Sequence, residues 1–389
     1  MRDKKKNGKI KICFVLPGTY QLFNRVEFMA HGGAELNMYY LSKMFAEDER
    51  FEVAFITEDQ NQKHIEYYDN VKVIKLGGLK WGATVISGNP LKKILCRFQV
   101  ELSAAREMLF SDYDVVITTT ANIMIARLVF WGKMFTKKKA IFRLANDTDA
   151  DPHYFASTGG SKLKDKLYWW GVTHADELIF QTKQQMKIFN ETEDRTGTII
   201  ENGFYIQNPE INLRKKDILW VSRADEVKRP HLLLEMAKRL PEEHFVMVMP
   251  GKNELSKKIQ KDLENISNIE FIEYVPFEEI MELFYKAKLF VNTATFEGFP
   301  NTFIQSAMAQ TPILSYCINP DGILDEYNMG YVCQESVDKA VEFIRNMDES
   351  KRKEMGDNAF SYVKQKHDIH NTRAAYEKLI LKLYNQKGK

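Results

Sequence analysis

Three short stretches carry residues whose types and spacing suit an anion that also bears hydroxyls. "VSRADEVKRP" (221–230) follows an apolar run and sets Arg223 and Lys228 five residues apart in a short loop. A guanidinium offers a planar fork and an ammonium a point charge, so the two can share one diphosphate. As plain surface residues they would instead pair with Asp225 and Glu226. "TFEGFPNTFIQSAMAQTPIL" (295–314) puts Glu297 in a Gly-Phe-Pro turn before a helix expected to start at Asn301 or Thr302. A carboxylate there can accept hydrogen bonds from sugar hydroxyls and would repel a phosphate touching it. Gln305, one turn in, has two readings: Thr302-x-x-Gln305 spells a capping box, or the amide reaches ligand hydroxyls. "HGGAE" (31–35) opens a helix on two glycines, where close backbone approach and free N–H groups favour a phosphate.

These loops need strands that end beside one another. Apolar strand-like runs alternate with helix-like segments along the chain: "KIKICFVLPG", "FEVAFIT", "VKVIKLGG", "YDVVITTT", "KAIFRLA" and "ADELIFQT", then, after the aperiodic polar stretch "YIQNPEINLRKKD", "ILWVSRA", "HFVMVMPG", "IEFIEYV" and "KLFVNT". Alternation of this kind predicts parallel sheets covered by helices on both faces. The restart near 205–216 predicts two Rossmann-like, doubly wound α/β domains, 1–205 and 206–368, facing across a central cleft. Residues 369–389 are expected to form a terminal amphipathic helix crossing back to the first domain. Ligands of open parallel sheets bind beyond the carboxyl ends of the strands.

Composition narrows the classes. The 389 residues are 44% hydrophobic and 28% charged with a net charge of +2, so overall charge gives no support to a nucleic-acid partner. The basic residues cluster in "MRDKKKNGKIK", "KMFTKKKA" (133–140) and "GSKLKDKLYWW" (160–170). Such runs read as solvated faces or as a surface for anionic headgroups. Cys13, Cys96, Cys317 and Cys333 have no zinc spacing; Cys13 and Cys317 lie in strand-like runs, and reduced thiols of a cytoplasmic protein are expected. No stretch has the length of a membrane span. "DTDAD" alternates Asp147, Asp149 and Asp151 but lacks the following glycine and distal glutamate of a calcium loop, so no metal is expected.

"HGGAE", "SRADEVKRP", "EGFPNTFIQSAMAQTP" and "NPDGILDEYNMGYV", in that order, resemble the retaining glycosyltransferases of family 4, which have the GT-B fold. The resemblance implies that Arg223 and Lys228 hold a donor diphosphate, that Gly33 supplies an N–H to the same phosphates, and that Glu297 contacts the donor sugar with Gly298, Phe299, Pro300 and Asn301. Backbone near Val275 would hold the nucleobase. A second glutamate normally binds the ribose; Gln305 stands in its slot and is a weaker acceptor. Where many relatives carry a histidine, this chain has Ala145, Asn146 or Asp147, and Asp147 is the candidate facing acceptor or sugar. His153 comes too late to align without a gap.

The implied reaction moves a hexosyl group from a nucleotide-diphosphate sugar to a hydroxyl of a glycan or lipid-linked acceptor, with retention, without metal or other cofactor, in cell-surface polysaccharide synthesis. The expected setting is cytoplasmic, with a peripheral place at an anionic inner membrane face. A non-catalytic sugar-nucleotide-binding subunit and a GT-B sugar-nucleotide epimerase are the alternatives. A dehydrogenase would need G-x-G-x-x-G, which is missing. "GGLKWGAT" (77–84) has Ala83 where a P-loop needs Lys, and no carboxylate pair can be located for a glycosidase.

Overall fold

The computed structural model describes residues 8–24, 32–78, 90–208, 215–276 and 279–386. Residues 1–7 of the basic start, most of "GGLKWGAT", and residues 209–214 of the polar stretch lie outside them. The chain forms two compact units, Met1–Glu201 with His370–Lys389, and Asn202–Ile369.

The first unit is built on β1 (Ile10–Val15), β2 (Phe51–Thr57), β3 (Ile65–Tyr68), β4 (Val71–Lys75), β5 (Val115–Thr119), β6 (Lys139–Arg143), β7 (Glu177–Phe180) and β8 (Thr198–Ile199). Their order across the sheet is β3-β4-β2-β1-β5-β6-β7-β8. Every pairing is parallel except β3 with β4, a hairpin closed at Asp69-Asn70, both in the left-handed region. β5 is buried throughout, as expected of a strand covered on both faces. Helix Gly33–Ala46 packs Met38, Leu41 and Phe45 on one side of the sheet. Helix Pro90–Phe110 contributes Val100, Ala104 and Met108 to a separate cluster that includes Cys13, Val15 and Val116. The last helix, Ile369–Gln386, places Tyr376, Leu379, Ile380 and Leu383 in the same core as Ile12, Phe14 and Phe55.

The second unit is a six-stranded, fully parallel sheet of β9 (Asp217–Val221), β10 (Phe245–Val248), β11 (Ile269–Ile272), β12 (Ala287–Asn292), β13 (Ile313–Ser315) and β14 (Gly330–Val332), in the order β11-β10-β9-β12-β13-β14. β9 and β12 pair directly, with Leu219 opposite Phe290, so their carboxyl ends leave the sheet side by side. This adjacency brings the 222–229 loop against the 293–300 turn. Helix His231–Arg239 buries Leu232, Leu233 and Met236 on one face. Helix Asn301–Met308 buries Phe303, Ile304 and Ala307 on the other.

One expectation needs correction. Cys317 lies beyond β13 and is half-buried, its thiol bonded to the Ala294 carbonyl, whereas Cys13 is within β1. The strands β13 and β14 are only three residues each and carry no readable period.

Candidate active site

The 222–229 loop is fixed from several sides. Trp220, buried on β9, donates through Nε1 to Thr293 Oγ1 at 2.9 Å, and that hydroxyl donates to the Lys228 carbonyl at 2.5 Å. Thr295 N–H donates to the Val227 carbonyl at 2.8 Å. Asp225 caps the short 3-10 turn Glu226–Lys228 by accepting from Val227 N–H. Arg229 then turns the chain with φ of 46°, a left-handed conformation that carries strain in a side-chain-bearing residue. Its guanidinium offsets that strain by donating to the carbonyls of Thr293 (2.8 Å) and Ala294 (3.0 Å), pairing with Glu335 and lying 4.6 Å from the Tyr316 ring centre. Gly251 (φ +138°) sits against the loop from β10, where a side chain would press Ala224 Cβ at 3.1 Å.

Within this frame Lys228 Nζ lies 2.6 Å from Glu297 Oε1, both side chains less than one-fifth exposed. Glu297 also lies 3.4 Å from Asn292 Nδ2. Arg223 is exposed and forms no ion pair among the described residues. The pairing of Arg223 and Lys228 with Asp225 and Glu226 therefore does not form; the lysine reaches across to the neighbouring strand's loop instead.

The turn after Glu297 is anchored from below. Phe299 packs on the buried His367 ring, with centres 4.7 Å apart. His367 Nδ1 lies 2.8 Å from the Asn202 carbonyl, which can only accept, so Nδ1 carries the proton and Nε2 faces the Tyr362 hydroxyl at 3.2 Å. Burial holds the imidazole neutral, with its pKa down to about 4. Asn202 Nδ2 donates to Asn301 Oδ1 at 2.8 Å, fixing the first helical residue.

Pro300, not Thr302, is the N-cap of helix Asn301–Met308, and no side chain caps it. The capping-box reading of Gln305 is therefore excluded, because Thr302 is already helical. The Gln305 side chain is buried to 7% exposure and has no hydrogen-bond partner among the described residues. An amide in that state is available to a ligand, and the opening N–H groups of the same helix add positive potential.

The remaining candidates are dispersed. Val275 follows β11, two strands from β9, and packs on the second unit's core. Gly33 is the first residue of its helix in the first unit, after Gly32, whose missing Cβ leaves room for the Glu35 carboxylate to fold back over it. Asp147 opens a 3-10 turn after β6 and is half-buried. The fully buried carboxylate of that turn is Asp149, which accepts from the N–H groups of Ala145, Asn146 and Ala121. Burial raises its pKa to about 6. Arg229 is the residue sequence reasoning passed over; its only signal was a third cation before a proline.

Residues 202–362 match the family model described as Glycosyl transferases group 1. The second unit belongs to this family. An uncharacterized glycosyltransferase of Methanocaldococcus jannaschii is 24% identical over 235 residues, a match spanning 56% of this chain and 64% of that relative's length. Among solved structures, sucrose-phosphate synthase from Thermosynechococcus elongatus superimposes with a TM-score of 0.79 at 14% identity, covering 97% of this chain and 100% of the other. Anabaena HepE in complex with UDP and glucose gives 0.68 at 15% identity over 96% and 100% of the two chains. These likenesses are of fold. The group 1 glycosyl transferase unit, together with the α/β unit before it, gives the chain the GT-B fold class.

Proposed function

We propose that the protein is a retaining glycosyltransferase that moves a hexosyl group from a nucleotide-diphosphate sugar to a hydroxyl of a glycan or lipid-linked acceptor, in the cytoplasm, during cell-surface polysaccharide synthesis. The Lys228–Glu297 contact carries this reading: a cation and a carboxylate held together on adjacent loops, with the exposed Arg223, unpaired among the described residues, on the same loop as the lysine and a helix N-terminus following the carboxylate. The ion pair keeps Lys228 extended before any donor binds. A diphosphate taken by Arg223 and Lys228 draws the ammonium's charge away from Glu297. The carboxylate then accepts from the hydroxyls of the donor sugar.

As the sugar–phosphate bond breaks, negative charge grows on the departing β-phosphate. The two cations recruited by the diphosphate and the opening N–H groups of helix Asn301–Met308 stabilise that charge. Attack from the leaving-group face retains the anomeric configuration and asks for no enzymic nucleophile. The cations supply the charge stabilisation a divalent ion would give elsewhere, so the reaction is proposed to be metal-independent. Gln305 takes the ribose hydroxyls, backbone at Gly298, Phe299, Pro300 and Asn301 assists at the sugar, and backbone near Val275 takes the base. Gly33 is proposed to add an N–H to the phosphates, and Asp147 to face the acceptor.

The uridine donor is the first to test, because the HepE structure holds UDP and glucose. A thermal-shift screen of UDP-, GDP-, ADP- and CMP-sugars reads binding, since a ligand raises apparent stability by mass action. Transfer assays on the donor that binds then decide the reaction. Conversion of the donor without acceptor would assign an epimerase. Binding without turnover for every pair would assign a non-catalytic subunit.

A further inference from the structure

Helix Pro90–Phe110 is apolar on two sides. Val100, Ala104 and Met108 face the core. At 100° per residue, Leu91, Ile94, Leu95, Phe98 and Leu102 gather in a sector of roughly 100° on the side away from it. Each of the five is at least 60% exposed. An outer helix face of a soluble domain ordinarily carries charge, and a continuous apolar stripe there marks a binding surface. The adjoining elements extend it. Trp131 packs on the cluster beneath the helix, and Phe130, next to it, is exposed and touches Trp170 of helix Lys162–His174. Leu163 and Leu167 of that helix are exposed as well.

The charge around the stripe is one-sided. Arg97, Arg106, Lys137, Lys162 and Lys166 are exposed and have no ion-pair partner among the described residues. The carboxylates of these elements face partners of their own: Glu101 meets Arg127 at 2.6 Å, Glu107 lies 3.7 Å from the His64 ring, Asp165 accepts from the N–H groups of Phe155 and Ala156, and Asp176 pairs with Lys139 and Lys133. A second copy docked face to face would juxtapose like charges, which disfavours self-association. An anionic bilayer interface satisfies both features, taking the apolar side chains into the acyl boundary and the cations among headgroups. No helix among the described residues is long and apolar enough to cross a membrane. The geometry points to in-plane docking of helix Pro90–Phe110, through Leu91, Ile94, Leu95, Phe98 and Leu102, on an anionic phospholipid surface. This stands whether or not the transferase reading does.

The test is co-sedimentation of the full chain with phosphatidylcholine vesicles, alone or mixed with phosphatidylglycerol. Binding is expected only to the anionic mixture and should fall when salt rises from ~0.1 to ~0.5 M. Phe98→Ser with Leu102→Ser should weaken it about tenfold or more, with the thermal midpoint unchanged because both side chains are already in water. Lys162→Glu with Lys166→Glu, which leaves the helix intact, should weaken it as well. Absence of wild-type binding, or binding by either double variant as strong as that of wild type, overturns the proposal. So does a wild-type dimer in sedimentation velocity that Phe98→Ser with Leu102→Ser dissociates, which would make the stripe a self-association face.

Discussion

Lowering pH should loosen the second unit through the buried His367. The buried imidazole has a pKa of about 4, against 6.5 when exposed. Above pH 6.5 both states are neutral and the full contribution is present. Between 6.5 and 4 the unfolded chain takes up a proton that the folded chain refuses, so stability falls as pH falls. At about 1.4 kcal/mol per pH unit, the loss over this window is about 3 kcal/mol. His367→Asn removes the titration while keeping an amide that can donate to the Asn202 carbonyl. Urea unfolding of wild type and variant, followed by fluorescence at a series of pH values, isolates the effect as a difference. Trp220 reports on the second unit; the other tryptophans all precede residue 202. The difference cancels titrations elsewhere, notably Asp149, whose stabilising contribution runs the other way and is lost as pH rises through about 6. The wild-type advantage should shrink by about 3 kcal/mol between pH 7 and pH 4. A difference that stays flat would mean the imidazole is not held neutral by burial. Because Phe299 rests on this ring, donor binding should weaken over the same window.

Four further outcomes are expected. Arg223→Ala and Lys228→Ala should each lower kcat/KM by about 10- to 150-fold, the equivalent of one charge-assisted contact of about 1.5–3 kcal/mol; undiminished transfer by the double variant would remove the basis of the reading. Glu297→Gln should leave nucleoside-diphosphate binding intact or tighter, since Lys228 is released, while turnover drops; isothermal titration and initial rates on the same preparation separate the two. Gln305→Glu should lower the donor KM by roughly three- to tenfold if the side chain meets a ribose, because a charged acceptor bonds more strongly than an amide. Chelation by EDTA should leave transfer rates unchanged, which steady-state assays with and without chelator will show.

Much of this architecture is legible in the sequence, and the illegible parts have physical reasons. β9 and β12 announce themselves as short apolar runs ending in polar loops, because strands covered on both faces need no alternation. Their adjacency is less visible, since β10 and β11 intervene in the chain. The contact between Lys228 and Glu297 depends on that adjacency and could not be read from spacing. Helix Pro90–Phe110 is not legible in the sequence because two apolar faces erase the single periodic stripe that marks an amphipathic helix. Asp147 drew attention for its position after β6, whereas the N–H groups of the turn converge on Asp149, two residues on. Gln305 illustrates the reverse: its sequence context spelled a cap, but Pro300 begins the helix too early for Thr302 to serve.

The return of residues 370–386 to the first unit has a consequence for biosynthesis. Tyr376, Leu379, Ile380 and Leu383 complete a core whose other members were translated before residue 202. During synthesis the amino-terminal sheet must wait, with that surface uncovered, while the contiguous second unit emerges and can close on its own. Released chains truncated at residue 369 should accordingly show a protease-resistant second unit and a susceptible first one, a reversal of the usual amino-to-carboxyl order of maturation.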